Sequence, residues 1–161
     1  DVCSSDLDVR SIRYPGLIGY KSLAGGGTTD YAVDIYHKAV NAEKFTCFLN
    51  AQSYLPMMYM DDAIKATISI MQAPDEAVKI RSSYNLSAMS FTPETIAAEI
   101  QKHYPNFTID YEPDFRQKIA NSWPASIDDS CARQDWNWNN DFNLENMTVE
   151  MFAKLNENTY K

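Results

Sequence analysis

The residues best placed to do chemistry lie between Tyr14 and Asp30. Tyr14-Pro15-Gly16 closes an alternating segment, and Gly25-Gly26-Gly27 runs into Thr28-Thr29-Asp30 ahead of an amphipathic stretch. A glycine-rich run that opens onto a helix start leaves backbone N–H groups free. Those groups attract an anion such as a carboxylate, and threonine hydroxyls can bond it as well. A flexible surface loop has the same composition, and spacing alone does not choose between the two. The run is not a phosphate-binding P-loop, because no Lys-Ser/Thr pair follows the glycines. Gly16 and Gly19 have the spacing of the last two glycines of a dinucleotide motif, but Tyr14 stands where the first should be.

Other reactive side chains give weaker signals. There are ten tyrosines, and none has a lysine four residues later to activate it as a base. Most of these rings are expected to pack in the core or against loops. Trp123 beside Pro124 either walls a pocket or packs, whereas Trp136 and Trp138 read as structural. The pair Asp128-Asp129 reads as a helix cap. His37 and His103 have no metal-ligand spacing, and the three cysteines (Cys3, Cys47, Cys131) form no CxxC. Neither a disulfide framework nor a metal site is expected, and a reducing, cytoplasmic setting fits best.

The elements that must position these residues follow from periodicity. The 161 residues are 45% hydrophobic and 22% charged, which suits one packed domain. A net charge of -8 argues against nucleic acid and anionic membranes as partners. No apolar run approaches a membrane span. Asp1 to Leu7 is polar and aperiodic and reads as a frayed or non-native leader, leaving 8–161 as the folding unit.

Asp8 to Tyr14 reads as a strand ended by Pro15, followed by a long loop to Gly27. Thr28, Thr29 or Asp30 caps a helix whose apolar face carries Tyr31, Ala32, Ile35, Tyr36, Ala39 and Val40. Phe45 to Leu49 and Leu55 to Met60 read as strands, the second interrupted by Pro56, with Met57, Met58 and Met60 in the core. Asp61 or Asp62 caps a helix that presents Ile64, Ile68 and Met71 to the core. Tyr84 to Leu86 is a short strand. Thr92-Pro93-Glu94 starts a helix, and Phe107, Ile109 and Tyr111 alternate as a strand. Short helices follow from Asp114 and from Asp128-Asp129-Ser130. The second ends at Asn137, a residue able to take the left-handed conformation. Leu144 to Leu155 closes the chain with an amphipathic helix. Alternating strands and helices favour an α/β class.

Several stretches together resemble a known family. They are Arg10-Ser-Ile-Arg-Tyr-Pro-Gly-Leu-Ile-Gly19, Gly25-Gly-Gly-Thr-Thr-Asp-Tyr-Ala-Val-Asp34, Leu55-Pro-Met-Met-Tyr-Met-Asp-Asp-Ala-Ile-Lys-Ala66 and Asn121-Ser-Trp-Pro-Ala-Ser-Ile-Asp-Asp-Ser130. They resemble the C-terminal half of the NAD-dependent L-threonine 3-dehydrogenases of the extended short-chain dehydrogenase (epimerase/dehydratase) group. Two departures are Ala24, where many members have proline, and Asn137, where glycine is usual.

The resemblance implies the C-terminal part of a Rossmann-type α/β fold with a small α+β substrate lobe. It implies oxidation of L-threonine to 2-amino-3-oxobutyrate with NAD, and a homodimer for the complete enzyme. Pro15, Gly16 and Leu17 match the segment against the nicotinamide end of NAD. Thr28, Thr29 and Asp30 match the substrate-side loop, and Trp123 matches a substrate-pocket tryptophan. The family's catalytic tyrosine and lysine fall outside this chain, so the chain alone is expected to be inactive. A sugar-nucleotide epimerase or dehydratase fragment and a non-catalytic small-ligand-binding module are the alternatives.

Overall fold

In chain order, the elements are β1 (Ile12–Arg13), β2 (Gly16–Ile18), α1 (Tyr31–Val40), β3 (Phe45–Cys47), β4 (Leu55–Tyr59), α2 (Met60–Gln72), β5 (Tyr84–Asn85), β6 (Met89–Phe91), α3 (Pro93–Gln101), β7 (Ile109–Tyr111), α4 (Arg116–Asn121), α5 (Ser130–Trp136) and α6 (Leu144–Thr159). This computed structural model describes residues 8–21 and 23–159. The leader expected at Asp1 to Leu7 lies outside the described residues.

The strands form three small sheets, ordered β1-β5, β2-β4-β6 and β3-β7. All pairs are parallel except β4 with β6. The first strand departs from the sequence reading. Of the expected strand at 8–14, only Ile12–Arg13 is assigned to β1, and the chain then crosses at Tyr14-Pro15 into β2, where a loop was expected. Proline's missing donor falls between two ladders, where no cross-strand bond is needed. Gly16 makes the crossing possible. A Cβ there would stand 2.6 Å from the Met57 sulfur and 2.6 Å from Thr29 Cγ2.

Strand β4 organises the packing. All five of its residues are buried. Leu55, Met57 and Tyr59 enter one core with α1, α3 and α6, while Met58 enters a second core with Ala63, Tyr84, Trp136 and Trp138. That alternation is the two-residue period of a strand buried on both faces. Pro56 lies within β4 rather than interrupting it. It sits opposite Ser90 on β6, and the β2 ladder starts one residue later at Gly16 and Met57. Proline is therefore spared one of two ladders.

Helix α2 reverses the expected face. Ile64, Ile68 and Met71 are 51%, 48% and 70% exposed, and the buried side is Asp62, Ala63, Ala66 and Ile70. The small alanines let the helix lie close to its neighbours, while the large apolar residues point away from both cores. Neither Asp61 nor Asp62 caps the helix. Tyr59 takes the N-cap position, and the Asp62 carboxylate accepts bonds from the backbone N–H groups of Asp141 and Phe142, at 2.8 and 3.0 Å. The C-terminal end of α2 is instead tied by Arg10, whose guanidinium donates to the carbonyls of Ile70 and Ala73.

Other local expectations match the structure. Thr92 caps α3 through a bond from the Thr95 N–H, with Pro93 at the first helical position. Asn137 ends α5 with φ 58°. Met57, Met58, Trp136 and Trp138 are buried, but Met60, expected in the strand core, opens α2 instead and is 37% exposed.

Candidate functional site

The crossing between the first two sheets opens a cavity of about 350 Å³. Tyr14, Pro15, Gly16 and Leu17 form one side of it. Thr29 enters from the turn before α1, Pro56 from β4, and Trp123, Pro124 and Ile127 from the α4–α5 connection. The place fits the general rule that ligands of α/β folds bind where the chain leaves a parallel strand at its carboxyl end. Five of the seven residues singled out from the sequence, Pro15, Gly16, Leu17, Thr29 and Trp123, therefore meet around one space.

Thr28 and Asp30 do not line it. Thr28 is buried beneath the turn. Asp30 precedes α1 but makes no side-chain cap. Its carboxylate accepts bonds from the N–H groups of Gly25 and Gly27, at 2.7 and 2.9 Å. The glycine loop thus binds an anion that the chain itself provides. Gly26 sits at φ +96°, which only glycine takes without strain.

The side chains lining the cavity are apolar apart from the Thr29 hydroxyl, the Tyr14 phenol and the Trp123 indole N–H. The phenol bonds the Ala63 carbonyl and the Thr67 hydroxyl. No carboxylate, amine or imidazole lines it among the described residues. Trp123, 43% exposed, divides it from a second cavity of about 320 Å³ lined by amides and hydroxyls of Asn50, Gln52, Ser53, Gln117 and Asn121. Gln117 holds that wall together. Its Oε1 accepts from the Asn50 N–H and the Ser53 hydroxyl, and its Nε2 donates to Asn121. A third cleft of about 260 Å³ lies between the end of α1 and the α3–β7 turn, lined in part by Lys44 and His103 and away from these residues.

Sequence reasoning missed Tyr14, Pro56, Pro124 and Ile127 as lining residues. The prolines left a signal, since proline at a strand start or beside tryptophan marks a rigid wall. It also missed Arg116, which donates to the Gly26 carbonyl at 3.4 Å and stacks on the Phe48 ring 3.2 Å from its centroid. Asp114 accepts from the Arg116 guanidinium through both carboxylate oxygens, and that guanidinium holds the Asp114 carboxyl below its usual range. Burial pushes the thiol of Cys47, beside this cluster, up to about 11, which disfavours its thiolate. Among the described residues, no group of three potential ligands could hold a metal ion, and no helix is long and apolar enough to cross a membrane.

No family model matches the chain. An uncharacterized epimerase/dehydratase of Staphylococcus aureus (strain USA300) is 51% identical over 152 residues, covering 94% of this chain and 47% of that protein. Among solved structures, a GalE-like L-threonine dehydrogenase from Cupriavidus necator in its apo form superposes with a TM-score of 0.91 at 58% identity, over 92% of this chain and 54% of that one. A monomeric L-threonine 3-dehydrogenase from a metagenome superposes at 0.90 with 50% identity, over 94% and 49%. The chain spans about half the length of the relatives it matches, and what it matches is the C-terminal part of their Rossmann-type fold. The resemblance read from the sequence is thus found in the three-dimensional structure as well.

Proposed function

We propose that this chain is the C-terminal half of an NAD-dependent L-threonine 3-dehydrogenase, an oxidoreductase of threonine catabolism that yields 2-amino-3-oxobutyrate. One observation carries this reading. The three segments that resemble the family's nicotinamide contact, substrate loop and pocket tryptophan converge on a single cavity. Its volume, about 350 Å³, suits a nicotinamide ring with a small amino acid and is too small for a whole dinucleotide. The glycine loop offers no second cradle for phosphates, since Asp30 already holds its Gly25 and Gly27 amides. The residues present therefore fit the nicotinamide end of NAD, which Pro15, Gly16 and Leu17 would hold. When bound, NAD supplies the acceptor for the hydride leaving the substrate β-carbon.

The chain's own residues bind and orient. The Thr29 hydroxyl offers a hydrogen bond to a polar group of L-threonine. Trp123, Pro124 and Ile127 cover the substrate's apolar side and exclude water. Thr28 and Asp30 serve the substrate indirectly, by fixing the turn that presents Thr29. Removing the proton from the substrate hydroxyl requires a base; the one phenol in the lining, Tyr14, is engaged with the Ala63 carbonyl and the Thr67 hydroxyl and has no lysine beside it in the cavity. That base belongs to the remaining half of the enzyme, so this chain alone is inactive. A cytoplasmic setting accords with the free thiols of Cys47 and Cys131. A homodimer of the complete enzyme is the family expectation, which the monomeric metagenomic relative does not follow.

A nucleotide-sugar epimerase is the second reading, favoured by the description of the Staphylococcus protein. A diphosphate calls for arginine or lysine in its pocket, and neither lines this cavity or the one beside Trp123. The test joins residues 8–161 to the N-terminal half of the Cupriavidus enzyme and follows NADH formation with L-threonine. Turnover by the joined protein and none by this chain alone is expected. Turnover only on a nucleotide sugar would give the second reading the better claim.

A further inference from the structure

Two walls of the cleft come from distant parts of the chain. Thr29 ends the glycine loop, and Trp123 follows α4, where its N–H bonds the Ala120 carbonyl. Arg116, the first residue of α4, connects them. Its Nη1 donates to the Gly26 carbonyl across 90 residues of sequence. It is itself held by two neighbours. Asp114 accepts from its Nε, its Nη2 and its backbone N–H. Its guanidinium plane lies on Phe48, and Phe48 meets Tyr31, the first residue of α1, edge to face at 6.4 Å. The glycine loop is therefore held twice, its Gly25 and Gly27 amides by Asp30 and its Gly26 carbonyl by Arg116. An arginine so stacked and chelated has lost most of its freedom before it reaches the loop, and it transmits position rather than merely charge.

We propose that Arg116 is a positioning residue of the cleft, setting the gap between Thr29 and Trp123 by tying α4 to the glycine loop. Its kinetic consequence rests on the threonine dehydrogenase reading, because Thr29 and Trp123 are there the substrate side. Gly16 and Leu17 are paired with Met57 and Met58 across β2 and β4, so the cofactor side should not feel the loss.

The test uses Arg116→Gln and Arg116→Lys in the joined enzyme, with two measurements. In kinetics, Arg116→Gln should raise KM for L-threonine about tenfold while KM for NAD and kcat stay within about twofold, the size of one lost charge-assisted bond. Arg116→Lys keeps the charge without the planar fork and should fall between. In hydrogen exchange, the Gly25 and Gly27 amides should exchange faster in both variants while core amides of α1 and β4 do not change. An equal rise in both KM values, or a fall in kcat alone, would overturn the proposal, as would unchanged exchange at Gly25 and Gly27. If Arg116→Gln does not fold, Arg116→Lys is read by the same criteria. If the unsubstituted joined protein fails to oxidise L-threonine, the functional reading fails, and the exchange measurement still decides the role of Arg116.

Discussion

At the scale of single residues, close approach and buried charge set the strongest constraints. Gly16 faces Met57 and Thr29 so closely that a methyl group has nowhere to go. Gly16→Ala should cost about 1–3 kcal/mol of stability in denaturant unfolding, typical of overpacking, and should displace Thr29 from the cleft. Asp62 is buried and serves two backbone donors. Asp62→Asn would set an amide N–H₂ against one of them and should cost about 1–3 kcal/mol in the same measurement.

Asp135 shows the acid dependence. The bond from Lys79, then that from the Tyr84 hydroxyl, holds its carboxyl below the unfolded value of 3.8. A lowered carboxyl pKa means that the stabilisation is complete above 3.8 and is lost as pH falls through the folded value. Asp135→Asn should flatten that acid limb in a series of melts below pH 3.8, leaving the neutral side parallel to the unsubstituted chain.

At the scale of elements, α2 presents its large apolar residues to solvent. Replacing Ile64, Ile68 and Met71 with serine or glutamine should change the stability of this chain by less than about 0.5 kcal/mol per site, as for other exposed positions. In the joined enzyme the same changes should destabilise, if the other half covers that face; differential scanning of both proteins gives the comparison. The α2 result also marks what was legible in the sequence. The periodicity gave the helix its span, and Thr92-Pro93 and Asn137 gave other helices their ends, because caps and left-handed positions are local chemistry. Which face of α2 is buried depends on what lies beside it, and equal spacing of Ile64 and Ile68 cannot reveal that. The crossing at Pro15 was hidden for a similar reason, since a proline marks a missing donor without saying whether the strand ends or changes sheet. Arg10 and Arg116 act on partners some 60 to 90 residues away, beyond any motif window. Most of the cleft was nevertheless visible, because Pro15 to Leu17, Thr29 and Trp123 lie in segments distinctive enough to resemble a family.

At the scale of the whole molecule, the edge of β1 away from β5 carries no strand among the described residues, and α2 leaves Ile64, Ile68 and Met71 exposed. Open edges and apolar faces favour association. Sedimentation should therefore show concentration-dependent self-association of this chain, and its loss once the chain is joined to the other half. The shared strand β4 has a further consequence. Met57 and Met58 are neighbours on one backbone, yet they fill different cores. Neither core can come apart without stripping one side of β4 and exposing the other core's seam. The two cores should melt together in a single calorimetric transition whose van't Hoff and measured enthalpies agree.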